Sequence, residues 1–207
     1  MDKVVALLAF GAIGLLLPAC TAFKRWGYEG FGRDRWQKPD QVIQVLSIQP
    51  GDSVADLGAG GGYFTFRLAD AVGPTGKVYA VDVDRDMLDY IAKQSAAEKR
   101  ENVITVAADY DDSKLPDASV NLLFTSNTYH HLENRTAYFE RNSRVLRPGG
   151  RVAIIDLDSS GWFMWLFGHS TEHDDIVREM NAAGYEVVGD HHFLSRQSFI
   201  VFARRPS

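Results

Sequence analysis

A single cysteine, Cys20, stands among the 207 residues. That count excludes an intramolecular disulfide and a four-thiolate metal site, and it leaves the redox compartment open. Cations are scarce as well: 22 Lys and Arg against 27 Asp and Glu give a net charge of −5. A nucleic-acid binder usually presents a basic stripe, so the balance argues against nucleic acid as a partner. Internal repeats and low-complexity tracts are absent. With 45% hydrophobic and 24% charged residues, the chain has the composition of one globular domain with a real core.

One long apolar run lies at the start. Residues 4–17 are followed by Pro18-Ala19-Cys20, and the length of this run suits a signal peptide better than a membrane span. Leu17-Pro18-Ala19-Cys20 resembles the cleavage box of bacterial lipoproteins, in which the cysteine is acylated; Leu17, Ala19 and Cys20 fit, and Pro18 departs. A second reading stays open. Residues 4–23 carry no charge and are followed by Lys24 and Arg25, which suits an uncleaved anchor with its cytoplasmic end marked by cations. The third alternative is a core helix. Residues 1–23 are thus expected to be a signal peptide or membrane anchor. An envelope lipoprotein is the favoured setting, and a cytoplasmic-facing inner-membrane anchor is the alternative.

Residues 24–38 form an aromatic and basic lead-in, with Trp26, Tyr28, Phe31 and Trp36 among Lys24, Arg25, Arg33 and Arg35. The domain proper is expected over 39–207. Short apolar runs at 53–57, 77–83, 103–108, 119–125 and 152–157 read as strands, and 185–189 and 198–203 as two closing ones. Helical patterns separate them: one opened by Pro39-Asp40, one over 63–72, one capped by Asp86 and running to about 99, one capped by Asn134 and running to 146, and a last one between Thr171 and Gly184. Pro148-Gly149-Gly150 reads as a turn. Strands without period-two alternation, interleaved with helices, imply an α/β fold whose mostly parallel sheet is covered on both faces.

The chemistry concentrates in Asp56-Leu57-Gly58-Ala59-Gly60-Gly61-Gly62. A strand turning sharply into a helix needs glycine for positive φ and close backbone approach, and its amides can receive an anionic ligand group. As a dinucleotide fingerprint the stretch fails at the third glycine, where Tyr63 stands. The spacing acid-x-Gly-x-Gly-x-Gly is met in full by Asp56, Gly58, Gly60 and Gly62, and around it the chain resembles class I methyltransferases that use S-adenosylmethionine. Arg144 to Arg151 is similar to that family's turn before the fifth strand, and 118–124 to its fourth strand, with Asn121 where the family often has Asp.

The resemblance implies a seven-stranded Rossmann-like fold and S-adenosylmethionine as cofactor. It makes Gly58, Ala59, Gly60 and Gly62 cofactor-binding residues, with Gly58 and Gly60 close to the methionine part and Asp56 near its ammonium group. Asp82 would accept the ribose hydroxyls beside Val83, and Asp109 would meet the adenine amino group beside Tyr110. Alone, Asp82 also suits a nicotinamide enzyme. Asp84 and Asp86 read as helix caps.

Methyl transfer is an in-line displacement that asks the protein for alignment and dryness, with a base only where the acceptor loses a proton. The exit of the fourth strand carries His130 and His131, candidates for base or acceptor orientation, with Asn127 and Tyr129 nearby. His169 and His173, four apart, straddle the expected helix start at Thr171, and His191 and His192, adjacent on a strand, point to opposite faces, so no metal is expected. The run 161–168, rich in Trp and Phe, admits core packing, a substrate lid or contact with a membrane interface. The resulting expectation is a membrane-attached methyltransferase acting on a small-molecule or lipid-like acceptor. Its rivals are an inactive adenosyl-binding module on the cell envelope and a nicotinamide oxidoreductase, which Tyr63 and Asp56 disfavour.

Overall fold

The computed structural model describes residues 32–158 and 170–206. Seven strands form one sheet: β1 (Ser53–Leu57), β2 (Lys77–Asp82), β3 (Val103–Ala107), β4 (Val120–Ser126), β5 (Leu146–Leu157), β6 (Tyr185–His191) and β7 (Gln197–Arg204). Their order is β3-β2-β1-β4-β5-β7-β6. Strands β1 to β5 pair in parallel, and β7 runs antiparallel between β5 and β6. This is the mostly parallel seven-stranded sheet that the sequence predicts.

Every residue of β1 is buried, which is why its sequence shows no alternation: both faces are covered. On one face lie α2 (Pro39–Leu46), α3 (Thr65–Val72) and α4 (Arg85–Ala97). Val42, Leu46, Leu68 and Val72 pack there against Val54, Val78 and Phe124. On the other face, α5 (Arg135–Asn142) and α6 (His173–Ala182) bring Phe139, Ile176 and Met180 onto Leu123, Ile154 and Phe202. Each such buried Leu, Val, Ile, Met or Phe contributes about 1.5–3 kcal/mol. A five-residue helix, α1 (Arg33–Gln37), forms the described end of the aromatic and basic lead-in.

Three boundaries differ from expectation. Asp84, not Asp86, caps α4: its Oδ1 accepts from the Asp86 amide at 3.0 Å. The helix expected to reach 146 stops at Asn142, because the buried Asn142 side chain turns to bind Ser113 through its amide and hydroxyl, and a 3₁₀ turn follows over Ser143–Val145. Pro148-Gly149-Gly150 is an excursion inside β5, between the pairs Val120–Leu146 and Leu122–Arg151. Six residues of β5 there, 146–151, oppose three of β4, 120–122, and Gly149, with φ +76°, takes up the excess.

The expected leader and anchor residues, the rest of the lead-in, residues 161–168 and His169 lie outside the described residues. Among the described residues, no helix is long and apolar enough to cross a membrane.

Candidate active site

Successive strands run outward from β1 through β2 to β3, then return to start again at β4 on the other side of β1. At such a reversal the connections diverge and leave a crevice beyond the carboxyl ends of the strands. A cleft of about 810 Å³ opens here, and Asp56, Gly58, Ala59, Gly60, Asp82, Val83, Asp109, Tyr110, His130 and His131 all line it. Gly62 does not. Its φ of +84° and the closeness of Phe66 and Ile91 to the place of a Cβ make it a packing position beneath the loop.

Asp56 is 3% exposed. Its Oδ2 accepts from the Thr65 hydroxyl at 2.6 Å. Burial pushes its pKa up to about 6; the Thr65 hydrogen bond and the Arg33 charge pull the other way, and Asp82 adds to the rise. Asp82 is a clamp. Its Oδ2 accepts from the Gly60 amide at 2.8 Å and its Oδ1 from the Asp84 amide at 2.9 Å, tying the glycine loop to the start of α4. Val83 and Tyr110, 42% and 78% exposed, present apolar surface along the same side. The Asp109 carboxylate is ion-paired with Lys114 at 2.6 Å.

Sequence reasoning missed Arg33. Helix α1 carries it into the cleft lining, with its guanidinium 3.8 Å from the Tyr63 ring centroid and that of Arg67 at 4.3 Å. The Tyr63 hydroxyl donates to Asp34 at 2.6 Å. Burial lowers the Arg33 pKa. Tyr63, the residue that spoils the dinucleotide fingerprint, therefore anchors α1 over the loop. No spacing in the lead-in signals this, because the contacts join residues about thirty apart.

Beyond β4, the 3₁₀ turn Tyr129–His131 delivers both histidines. Tyr129 is fully buried and donates to Glu179 Oε2 at 2.7 Å, while Arg135 pairs with both Glu179 oxygens at 2.7 and 2.8 Å. The His130 Nδ1 lies 2.8 Å from Asp156 Oδ1, and the rings of His130 and His131 stand 4.0 Å apart. Asp156, on β5, is fully buried, and its Oδ2 has no hydrogen-bond partner among the described residues. Its one sequence signal is an acid closing the otherwise apolar run Val152-Ala153-Ile154-Ile155. Asn127 accepts from Gln197 Nε2 at 2.6 Å and holds φ +57°.

The other described histidines, His173, His191 and His192, do not line this cleft. His173 is hydrogen-bonded to Asp174 and Asp190, and His192 approaches Asp190 at 3.7 Å. His191 packs its ring on Phe199.

The donor set fits S-adenosylmethionine. A buried acid stands beside a loop of glycines with one methyl, that of Ala59, a second acid caps the neighbouring strand, and apolar surface lies next to it. Residues 54–150 match a family model described as a methyltransferase domain. An arsenite methyltransferase of Halobacterium salinarum is 32% identical over 154 residues, 69% of this chain and 39% of that protein. A ubiquinone/menaquinone biosynthesis C-methyltransferase of Ectopseudomonas mendocina is 28% identical over 122 residues, 58% of this chain and 47% of that one. The chain thus spans less than half the length of these relatives. In fold it is similar to a crystal structure of a methyltransferase dependent on S-adenosylmethionine from Aquifex aeolicus, with a TM-score of 0.79 at 24% identity over 86% of this chain and 96% of that one. By these matches, the chain belongs to the class I S-adenosylmethionine-dependent methyltransferase family.

Proposed function

We propose that the protein is an enzyme that transfers the methyl group of S-adenosylmethionine to a small-molecule or lipid-like acceptor bound beside His130 and His131. The observation that carries this reading is the convergence of the acid-x-Gly-x-Gly-x-Gly loop, Asp82, Asp109 and His130 on one cleft. When bound, the cofactor supplies an electrophilic methyl on a sulfonium. Asp56 is the partner for its ammonium group. Each Asp82 oxygen accepts one amide bond and keeps acceptor capacity for a ribose hydroxyl. Asp109 meets the adenine amino group, with Val83 and Tyr110 as apolar walls.

The relative named for arsenite implies a thiophilic acceptor. Cys20 is the sole thiol of these 207 residues, which favours an organic acceptor here. Neither the inactive-module reading nor the nicotinamide reading draws support from the relatives.

Calorimetric titration of the full-length protein with S-adenosylmethionine and S-adenosylhomocysteine tests the reading. Micromolar binding, lost in Asp82→Ala, is expected; no heat from either ligand with wild type would overturn it.

Membrane attachment through residues 1–23 is part of the proposal, the lipoprotein form being favoured by Leu17-Pro18-Ala19-Cys20. Labelled palmitate should enter the wild type and not Cys20→Ser. Membrane retention without any label would point to the uncleaved anchor.

A further inference from the structure

We propose that the open edge of β3 is the contact surface for a second copy of this chain, the two β3 strands pairing antiparallel about a two-fold axis. The inference is independent of the reaction the protein carries out.

The sheet ends at β3 on one side and at β6 on the other, and the two edges are built differently. Strand β6 has a register shift between Val187 and Gly189 and carries Glu186 and Asp190, devices that keep an edge from pairing. Strand β3 reads Val103-Ile104-Thr105-Val106-Ala107, with no charge, proline or register shift. An uncharged edge rich in β-branched residues is a template for another strand.

The direction of its backbone groups follows from its neighbours. The Val78 amide donates to the Asn102 carbonyl at 2.8 Å, and the Ala108 amide to the Asp82 carbonyl at 3.0 Å. Backbone groups alternate sides along a strand, so residues 102, 104, 106 and 108 face β2. Val103, Thr105 and Ala107 turn outward. The Val103 amide bends back to the Arg100 carbonyl at 3.4 Å. The Val103 carbonyl and both backbone groups of Thr105 and Ala107 stand open among the described residues. The connection from β3 to β4 holds no helix, although a parallel crossover usually supplies one. Ile104 is accordingly 37% exposed, and Val106, on the same face, is only partly buried.

This edge fits itself. With Thr105 on the axis, each Thr105 exchanges both bonds with Thr105 of the second copy. The Ala107 amide donates to the second copy's Val103 carbonyl. The same register sets Ile104 beside the second copy's Val106 on the uncovered face. On the other face, Thr105 and Ser95 line a cavity of about 390 Å³, and the buried Ser95 hydroxyl has no partner among the described residues. The second Thr105 brings a hydroxyl to that side. Beyond the strand ends, the exposed Lys99 comes opposite Asp111 of the second copy, which is largely exposed in its pair with Arg141. Glu101 comes opposite Asp109, whose charge Lys114 already holds. A five-residue edge is a small interface, so the dimer is expected to form in the micromolar range.

The first test is cross-linking of the full-length protein in detergent, with Cys20→Ser and Thr105→Cys, under copper–phenanthroline oxidation. In the paired register the two Cα atoms at 105 stand about 5.5 Å apart, within disulfide reach, so a cross-linked dimer is expected. Glu101→Cys in the same background should give none, because the register separates its two copies by more than about 20 Å. Sedimentation equilibrium of wild type should move from one chain to two across the micromolar range. Thr105→Pro, whose lost amide faces outward and not into the sheet, should raise the dissociation constant at least about tenfold, and Lys99→Glu about threefold to tenfold. Wild-type circular dichroism shows that each variant folds. If Thr105→Pro does not, Ile104→Lys serves, with the same expected loss. A wild type that stays one chain throughout, cross-linking at 101 equal to that at 105, or a folded Thr105→Pro or Ile104→Lys that dimerises like wild type would each overturn the proposal.

Discussion

Thr128 fills the space in front of Gly58: a Cβ on Gly58 would stand 2.1 Å from Thr128 Oγ1 and 2.4 Å from its Cγ2. The first glycine of the loop is thus required by the neighbouring strand's exit as well as by its own φ of +70°. Gly58→Ala combines a left-handed backbone cost of about 1–2 kcal/mol with overpacking of about 1–3 kcal/mol. Urea unfolding should show a loss of about 2–5 kcal/mol, and cofactor binding should weaken at least tenfold. Adding Thr128→Gly should return the overpacking part and leave the backbone part.

Asp56 makes stability depend on pH. Its folded pKa of about 6 lies above the ordinary 3.8, so the folded chain holds the proton more tightly than the unfolded one. The Asp56 contribution to stability is then fully present below about pH 4 and is lost as pH rises through 6, by on the order of 3 kcal/mol. Asp56→Asn is expected to exceed wild type in unfolding free energy at pH 8, with the gain vanishing near pH 4. The same variant should bind S-adenosylmethionine more weakly at pH 8, because the ammonium partner is gone. Equal stability of the two proteins at every pH would contradict the assignment.

Asp82 holds the loop through two backbone amides. Asp82→Asn turns an NH₂ group toward one of those N–H donors, leaving it unpaired at a cost of about 1–3 kcal/mol. Thermal unfolding should register that cost without ligand, and titration should show a further loss of about tenfold or more in cofactor affinity. A variant that loses affinity with unchanged stability would mean the clamp is not formed in solution.

The turn that bears His130 is pinned by Tyr129 to Glu179. Tyr129→Phe leaves Arg135 on Glu179 and should cost about 1 kcal/mol. Glu179→Ala strips the acceptor from a buried hydroxyl and the partner from Arg135, for about 2–4 kcal/mol by denaturant unfolding.

Strands were legible where burial is two-sided, because runs such as Ser53-Val54-Ala55-Asp56-Leu57 have no other use. The glycine-loop side of the cleft was legible too, since Asp56, Gly58, Gly60, Asp82 and Asp109 lie at or just beyond strand ends that the sheet brings together. What stayed hidden depends on pairing across the fold. Asp156 meets His130 across 26 residues, and Arg33 reaches Tyr63 across thirty. Asn121, a departure from the family's usual Asp, accepts from the Ser53 amide and from Arg147, a structural duty that no local pattern announces. Asp84 and Asp86 show the same limit at short range: both suit a cap, and only backbone φ decides between them.

The place of β7 sets a timetable for synthesis. Its first six residues are buried, and it separates β5 from β6. A ribosome releases β1 to β4 early, and these can pair as they emerge. Strand β5 must wait with one side open until residues 197–204 leave the exit tunnel, and β6, though made first, has nowhere to dock before then. Asp156 therefore becomes enclosed among the last events of folding, so the end of the cleft that holds His130 matures after the end that holds the glycine loop.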